Sequence, residues 1–298
     1  MNFELQTIKE GVENRYVVQN GQGDIFTISP VLYHILEQYK INSNYNIVVA
    51  RMNQIYNTSE FTLLFIENTI KEALSKISSQ NEMITNPTDS YVKGKITIVK
   101  EGKLQWLYKW TSLLFYKKTF TTLAILSLFI SVFFFYYNNL LSFKLIYQSS
   151  VGFLSVKNIL FLYVIFVFII LIHEIGHASA SYHFGVKPKE IGFGFYFIFP
   201  VFYTNVTNIW LLNKQKRLVV NMAGIYFQLL INVILITTFS LHIFGIFCIP
   251  LIIANSVSIT MSIIPFFRYD GYWLFSDYFS IPNLQSKARQ FIASRLYI

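Results

Sequence analysis

Cys248 is the single cysteine in 298 residues, so no intrachain disulfide can form. It sits in an apolar run, where a lone thiol behaves as a small hydrophobe. Charge is scarce as well: Asp, Glu, Lys and Arg together make 13% of the chain, while hydrophobic residues make 54%. An ordinary soluble domain carries roughly 25% charged residues, so a wholly soluble enzyme is excluded. Acidic groups nearly vanish after residue 118, where only 4 of the 15 remain. The N-terminus, MNFELQTIKE, lacks the apolar core of a secretory signal. The basic segments flank apolar spans and line no polar fold, which argues against nucleic acid as a partner.

What is present changes character along the chain. Residues 1–90 hold six basic and ten acidic groups, a net of −4; residues 91–118 hold seven Lys and one Glu, a net of +6. The remaining 180 residues carry eleven basic and four acidic groups, a net of +7. This division predicts three regions: a cytoplasmic accessory domain over 1–80, a linker and basic juxtamembrane segment over 81–118, and a membrane domain over 119–298. In the first region, strands are expected at Tyr16-Val-Val and Asp24-Ile-Phe-Thr-Ile, around the turn Asn20-Gly-Gln-Gly. Ser29-Pro30 marks the start of a helix over Val31–Tyr39, and further helices are expected over Ile47–Ile55 and Ser59–Ser78. Ser79–Ser90 reads as a polar linker.

Four membrane spans are predicted, each needing about 20 apolar residues. The first runs from Thr119 to Tyr137 and the second from Asn158 to Tyr182. The third and fourth share Leu218–Phe267, divided near Leu241–Gly245. The segment Ile191–Tyr203 is very apolar but has only 13 residues, with Gly192, Gly194 and Pro200 against a helix. A re-entrant or interfacial hairpin is expected there. Lys109, Lys117 and Lys118 precede the first span and place the N-terminus in the cytoplasm. The 183–217 loop and the C-terminal tail, both basic, then fall on the same side, and the 138–156 loop, with few cations, lies outside.

One constellation carries chemistry: His173-Glu174-Ile175-Gly176-His177, at the cytoplasmic end of the second span. On a helix the two imidazoles lie one turn apart on one face and can share a metal ion. Neutral imidazoles suit zinc, which takes a third protein ligand and leaves a position open for catalysis. Glu174 stands beside the pair as general base. With 5 His and 11 Glu in the chain, chance placement gives roughly 0.003 occurrences of this pattern. A Glu and two His within an apolar span also cost several kcal/mol unless paired or functional. Asp270, in Arg268-Tyr-Asp270-Gly271 after the fourth span, is the expected third ligand, because the topology returns it to the depth of His177. His183 is a rival by spacing, but Ala180 stands where a chain-turning Gly would be needed. His34 and His242 have no partner pattern and read as structural.

These residues resemble the site-2 protease family of intramembrane zinc metalloproteases. The resemblance covers roughly residues 155–290 and rests on His173-Glu-Ile-Gly-His177, Asn221-Met-Ala-Gly224 and Asp270-Gly271. The run Pro265–Leu284 is similar to the peptide zinc metalloprotease branch, associated with making or exporting ribosomal peptides and bacteriocins. The resemblance implies an α-helical polytopic membrane protein with a three-helix catalytic core. It implies His173, His177 and Asp270 as ligands to one Zn2+ per chain, with Glu174 as base. Gln228 stands where the family often has Asn, and so is a candidate for positioning substrate. The N-terminal unit resembles the PqqD-like winged helix, an α+β fold that binds leader peptides. The expected function is proteolysis of a small ribosomal peptide precursor or a membrane-tethered peptide at the bacterial cell membrane. The bilayer, a leader peptide and peptide-export components are the partners implied. Two alternatives stand beside it: a regulatory intramembrane protease acting on a membrane-anchored signalling protein, and a non-proteolytic peptide-binding or export component.

Overall fold

The computed structural model describes residues 3–10, 13–21, 25–78, 92–138, 155–243, 247–281 and 284–296. The Ser79–Ser90 linker, most of the expected outer loop, residues 22–24 of the first turn, and part of the division between the third and fourth spans lie outside them. The chain divides into two compact units. The first is Met1–Lys95 with Phe195–Phe199 and Thr207–Asn213, and the second holds the remainder.

The first unit opens with an antiparallel sheet ordered β1 (Phe3–Glu10), β2 (Glu13–Asn20), β3 (Ile25–Ile28). Phe3 pairs with Asn20 and Tyr16 with Ile28. Side chains alternate across β2, so Val18 joins the main core while Val17 packs with Ile8 and Ile25 in a second cluster. Three helices follow: α1 (Pro30–Ile41), α2 (Tyr45–Ile55) and α3 (Leu63–Ser78). Ser29 caps α1 by accepting from the Leu32 amide at 3.2 Å, and Pro30 takes the first helical position, where its missing N–H costs nothing. Ile35, Leu36, Val48, Met52, Ile66 and Ile70 close the core against Val18. β1 was not expected from the sequence. As an edge strand it pairs only with β2, and its apolar residues Phe3, Leu5 and Ile8 break strict alternation.

β4 (Val92–Lys100) is a second unforeseen strand, within the segment read as a basic linker. Its alternation of Val92, Gly94, Ile96 and Ile98 was masked by three lysines. It joins β5 (Glu190–Tyr196) and β6 (Phe199–Asn205) in a sheet ordered β4-β5-β6. The apolar segment expected as a hairpin therefore consists of two strands joined at Phe197-Ile198, where Phe197 takes a positive φ of 56°. Thr97 Oγ1 donates to Glu190 Oε2 at 2.6 Å and ties β4 to β5.

Between these strands lie α4 (Gln105–Thr111), α5 (Lys117–Tyr137) and α6 (Val156–His183). After β6 come α7 (Lys214–Ser240), α8 (Cys248–Ile263), α9 (Asp270–Tyr278) and α10 (Leu284–Leu296). Among the described residues, α5, α6 and α7 are the three helices long and apolar enough to cross a membrane. The fourth expected span is represented by α8, which at 16 residues spans only about 24 Å. It stops at Ile264, which turns extended ahead of Pro265 because the proline ring excludes the helical conformation. α7 is the central helix, packed on α5, α6, α8 and α9. Polar bonds fasten α8 to it: Asn255 Nδ2 donates to the Gln228 carbonyl at 2.9 Å and to Asn232 Oδ1 at 2.8 Å. In an apolar surround such interhelical bonds hold helices in register. The N-terminal half of α6 exposes Ile159, Leu160, Tyr163, Val164 and Phe168. Its C-terminal half, from Gly176 to Ser181, is buried.

Candidate metal centre

The site forms where the buried end of α6 meets α7 and the start of α9. His173 and His177 lie one turn apart on α6, with their Nε2 atoms 3.2 Å from each other. Asp270, the first residue of α9, brings Oδ2 within 3.1 Å of His173 Nε2 and Oδ1 within 3.2 Å of His177 Nε2. All three are largely buried, and together they form a group that could hold a metal ion. A tetrahedral zinc with bonds of about 2.0–2.1 Å needs its ligand atoms about 3.3 Å apart, so the spacing fits.

The hydrogen bonds around the rings decide which nitrogens face inward. Gln228 Nε2 donates to Ser258 Oγ at 3.1 Å, which leaves Gln228 Oε1 to accept from His173 Nδ1 at 3.0 Å. The Val220 carbonyl accepts from His177 Nδ1 at 2.8 Å. With both Nδ1 atoms acting as donors, the Nε2 atoms are the ones that face the carboxylate. In neutral rings each would present a lone pair there, and that convergence calls for positive charge among the three, as protons or as a metal ion. Asp270 Oδ2 has no hydrogen-bond partner despite its burial, which is a further mark of a ligand atom. Burial by itself would raise the Asp270 carboxyl, but the adjoining His177 and His173 outweigh it and hold the group below the usual carboxylate range. Asp270 is therefore an anion, as a metal ligand must be.

Glycine makes room for this. A Cβ on Gly224 would stand 2.5 Å from the Nε2 of both histidines, inside the space the ligands enclose. A Cβ on Gly176 would stand 2.6 Å from the Ala223 carbonyl oxygen, so α6 and α7 approach at this level only through glycine. A Cβ on Gly271 would lie 2.0 Å from the Ile263 carbonyl oxygen, so the glycine beside Asp270 lets α9 press onto the end of α8.

Glu174 is buried next to His173, outside the ligand group. The Thr204 hydroxyl of β6 lies 2.7 Å from Glu174 Oε2 and 3.0 Å from the Glu174 carbonyl. It has one proton to donate, and the nearer carboxylate oxygen orients it. His183 stands apart from the group, ringed by Phe115, Tyr116 and Phe184. Gln228 is fully buried and bonded at both ends of its amide, one of them to His173.

Sequence reasoning used Gly224 only as part of the Asn221–Gly224 run and missed its place between the histidines, and it missed Thr204 and the Val220 carbonyl. Gly224 carried a signal, as the one glycine of α7. Thr204 carried none, being thirty residues from Glu174 with no pattern linking them.

No family model and no solved structure matches the chain. YydH of Bacillus subtilis (strain 168), which bears the provisional name of a peptide zinc metalloprotease protein, is 30% identical over 77 residues. The aligned part is 26% of this chain and spans 29% of YydH. The name given to YydH speaks of a zinc metalloprotease. The His173, His177 and Asp270 group is consistent with it.

Proposed function

We propose that the protein is a membrane-embedded zinc metallopeptidase of the site-2 protease type. The observation that carries this reading is the convergence of the His173 and His177 Nε2 atoms on the Asp270 carboxylate, with buried Glu174 beside them. In this reading His173, His177 and Asp270 hold the metal, and Gln228 and the Val220 carbonyl orient the two rings. A zinc ion so held acidifies water and polarises a peptide carbonyl. Glu174, aimed by Thr204, takes a proton from the attacking water as its oxygen bonds to the carbonyl carbon. It then passes that proton to the leaving nitrogen as the C–N bond breaks.

The apolar surroundings and the partial likeness to YydH support a peptide substrate at the membrane. We assign it as a small ribosomal peptide precursor or a membrane-tethered peptide, cut in the course of maturation or export. Residues 1–80 would serve as an accessory domain that binds the leader, as in the PqqD-like proteins they resemble. Residues 81–118 connect it to the membrane domain, 119–298. α8 makes the fourth crossing together with residues beside it, since 16 residues fall short by themselves. The lysines before α5 and after α6 favour a cytoplasmic site in a multi-pass protein of the cell membrane.

The test is elemental analysis and peptide cleavage on detergent-purified wild type, Glu174→Gln and Asp270→Ala. We expect about one zinc per chain in wild type and Glu174→Gln, and little in Asp270→Ala. Cleavage of a precursor encoded beside the gene should fall by about 10²–10⁴-fold in Glu174→Gln. Undiminished cleavage in Glu174→Gln would falsify its role as base, and a metal-free wild type after zinc supplementation would end the peptidase reading.

A further inference from the structure

A second buried carboxylate lies two turns beyond Asp270 on α9. Asp277 is 7% exposed, and its partners from α7, Arg217 and Asn221, are 4% and 8% exposed. Arg217 Nε donates to Asp277 Oδ1 at 2.8 Å, and Asn221 Nδ2 donates to Oδ2 at 2.7 Å. None of the three belongs to the ligand group.

Their spacing links them to it. Asp270 and Asp277 are seven residues apart and so share one face of α9. Arg217, Asn221, Gly224 and Gln228 follow at steps of four, three and four, which is one stripe of α7. That stripe bonds Asp277 at one end and borders the histidines at the other. α9 has only nine residues and cannot hold its own position by helix propensity. A buried ion pair adds little net stability over well-packed apolar residues. Its charge-assisted bonds are nonetheless short and directional, so they select one rotation and one height of α9.

We propose that Arg217, Asn221 and Asp277 are positioning residues for the metal centre. By fixing α9 against α7 they set the distance of the Asp270 carboxylate from His173 and His177. Gly271 fixes the first turn of α9 against α8, and the clamp fixes the second.

This inference rests on the metal-site reading above, and the experiment separates the two. Zinc affinity is measured by chelator competition on the detergent-purified full chain, alongside the zinc-dependent rise in Tm. The variants are Asp277→Asn, Asn221→Ala and Asp270→Ala. A folded Asp277→Asn should bind zinc about 10–100-fold more weakly, the range seen when groups that orient ligands are removed. Asn221→Ala leaves Arg217 to pair with Asp277 and should weaken binding by about 3–10-fold, the worth of one hydrogen bond. Both should show a smaller rise in Tm on adding zinc. If wild type binds zinc and Asp270→Ala does not, while both clamp variants bind as wild type, the clamp is refuted and the metal site stands. If wild type itself binds none, the metal-site reading fails first. Should Asp277→Asn not fold, Asn221→Ala decides the matter by the same criterion.

Discussion

Gly224 shows how much of this site depends on an absent side chain. A methyl group there would sit 2.5 Å from the Nε2 atoms of both His173 and His177. Gly224→Ala should therefore abolish zinc binding, read as metal content, while the far-UV CD spectrum remains helical. Thr204→Val removes the hydroxyl that orients Glu174 but keeps its volume. Zinc should stay at about one per chain, and kcat should fall by about 10–100-fold, since a bond to a charged group is worth about 1.5–3 kcal/mol. Acid should release the metal through the imidazoles. Asp270 is held below the usual carboxylate range, so it stays ionised while the histidines take up protons. The sign follows: zinc is retained at neutral pH and lost as pH falls, with half-release expected at roughly pH 5–6. Titrating metal content against pH checks it, and half-release near pH 3 would make the carboxylate the controlling group. At this scale the sequence singled out all four residues of the candidate centre, three of them by local spacing. His173, Glu174 and His177 are bound together by a single turn of helix, so local spacing is enough. Gln228 was singled out for a different task, contact with substrate. Its bond to His173 comes from the packing of α7 on α6, which no local pattern encodes.

Elements decide where the candidate third ligand goes. Asp270 is ninety-three residues from His177, and their meeting depends on α7 lying between α6 and α9. The contact of Gly271 with the end of α8 is made with backbone, which cannot rotate aside. Gly271→Ala should push α9 outward, costing about 1–3 kcal/mol of stability, as overpacking does. Zinc affinity should fall with it, measured by chelator competition. The long helices were legible because a run of twenty apolar residues has few other ways to satisfy its backbone. Two strands were not. β1 is an edge strand, and β4 carries its period-2 pattern under a cover of lysines. The fourth expected span is seen only as the shorter apolar helix α8, within a stretch, Leu218–Phe267, that reads as continuously apolar. Where its second helix stops depends on Pro265, and α8 is left shorter than a bilayer.

The whole chain joins an α+β unit of ordinary polar composition to a unit whose surface is apolar along α5 and the first half of α6. That surface calls for detergent or lipid. Cys248 is fully buried, so thiol reagents should leave the folded protein unlabelled and react only after denaturation. A single cysteine at exposed Lys187, in a Cys248→Ser background, should be labelled by a membrane-impermeant reagent only after cells are opened. Labelling of intact cells would reverse the proposed orientation. The sequence by itself determined which helices are long and apolar and that two imidazoles share a helix face. These are properties of neighbours within a turn or a run, set by backbone geometry and solvation. Tertiary structure alone decided that Gly224 leaves room for a metal, that Thr204 aims Glu174, and that Asp277 ties α9 to α7. Each of those depends on side chains thirty or more residues apart meeting at a few ångströms, a distance that only the packing of helices and strands can fix.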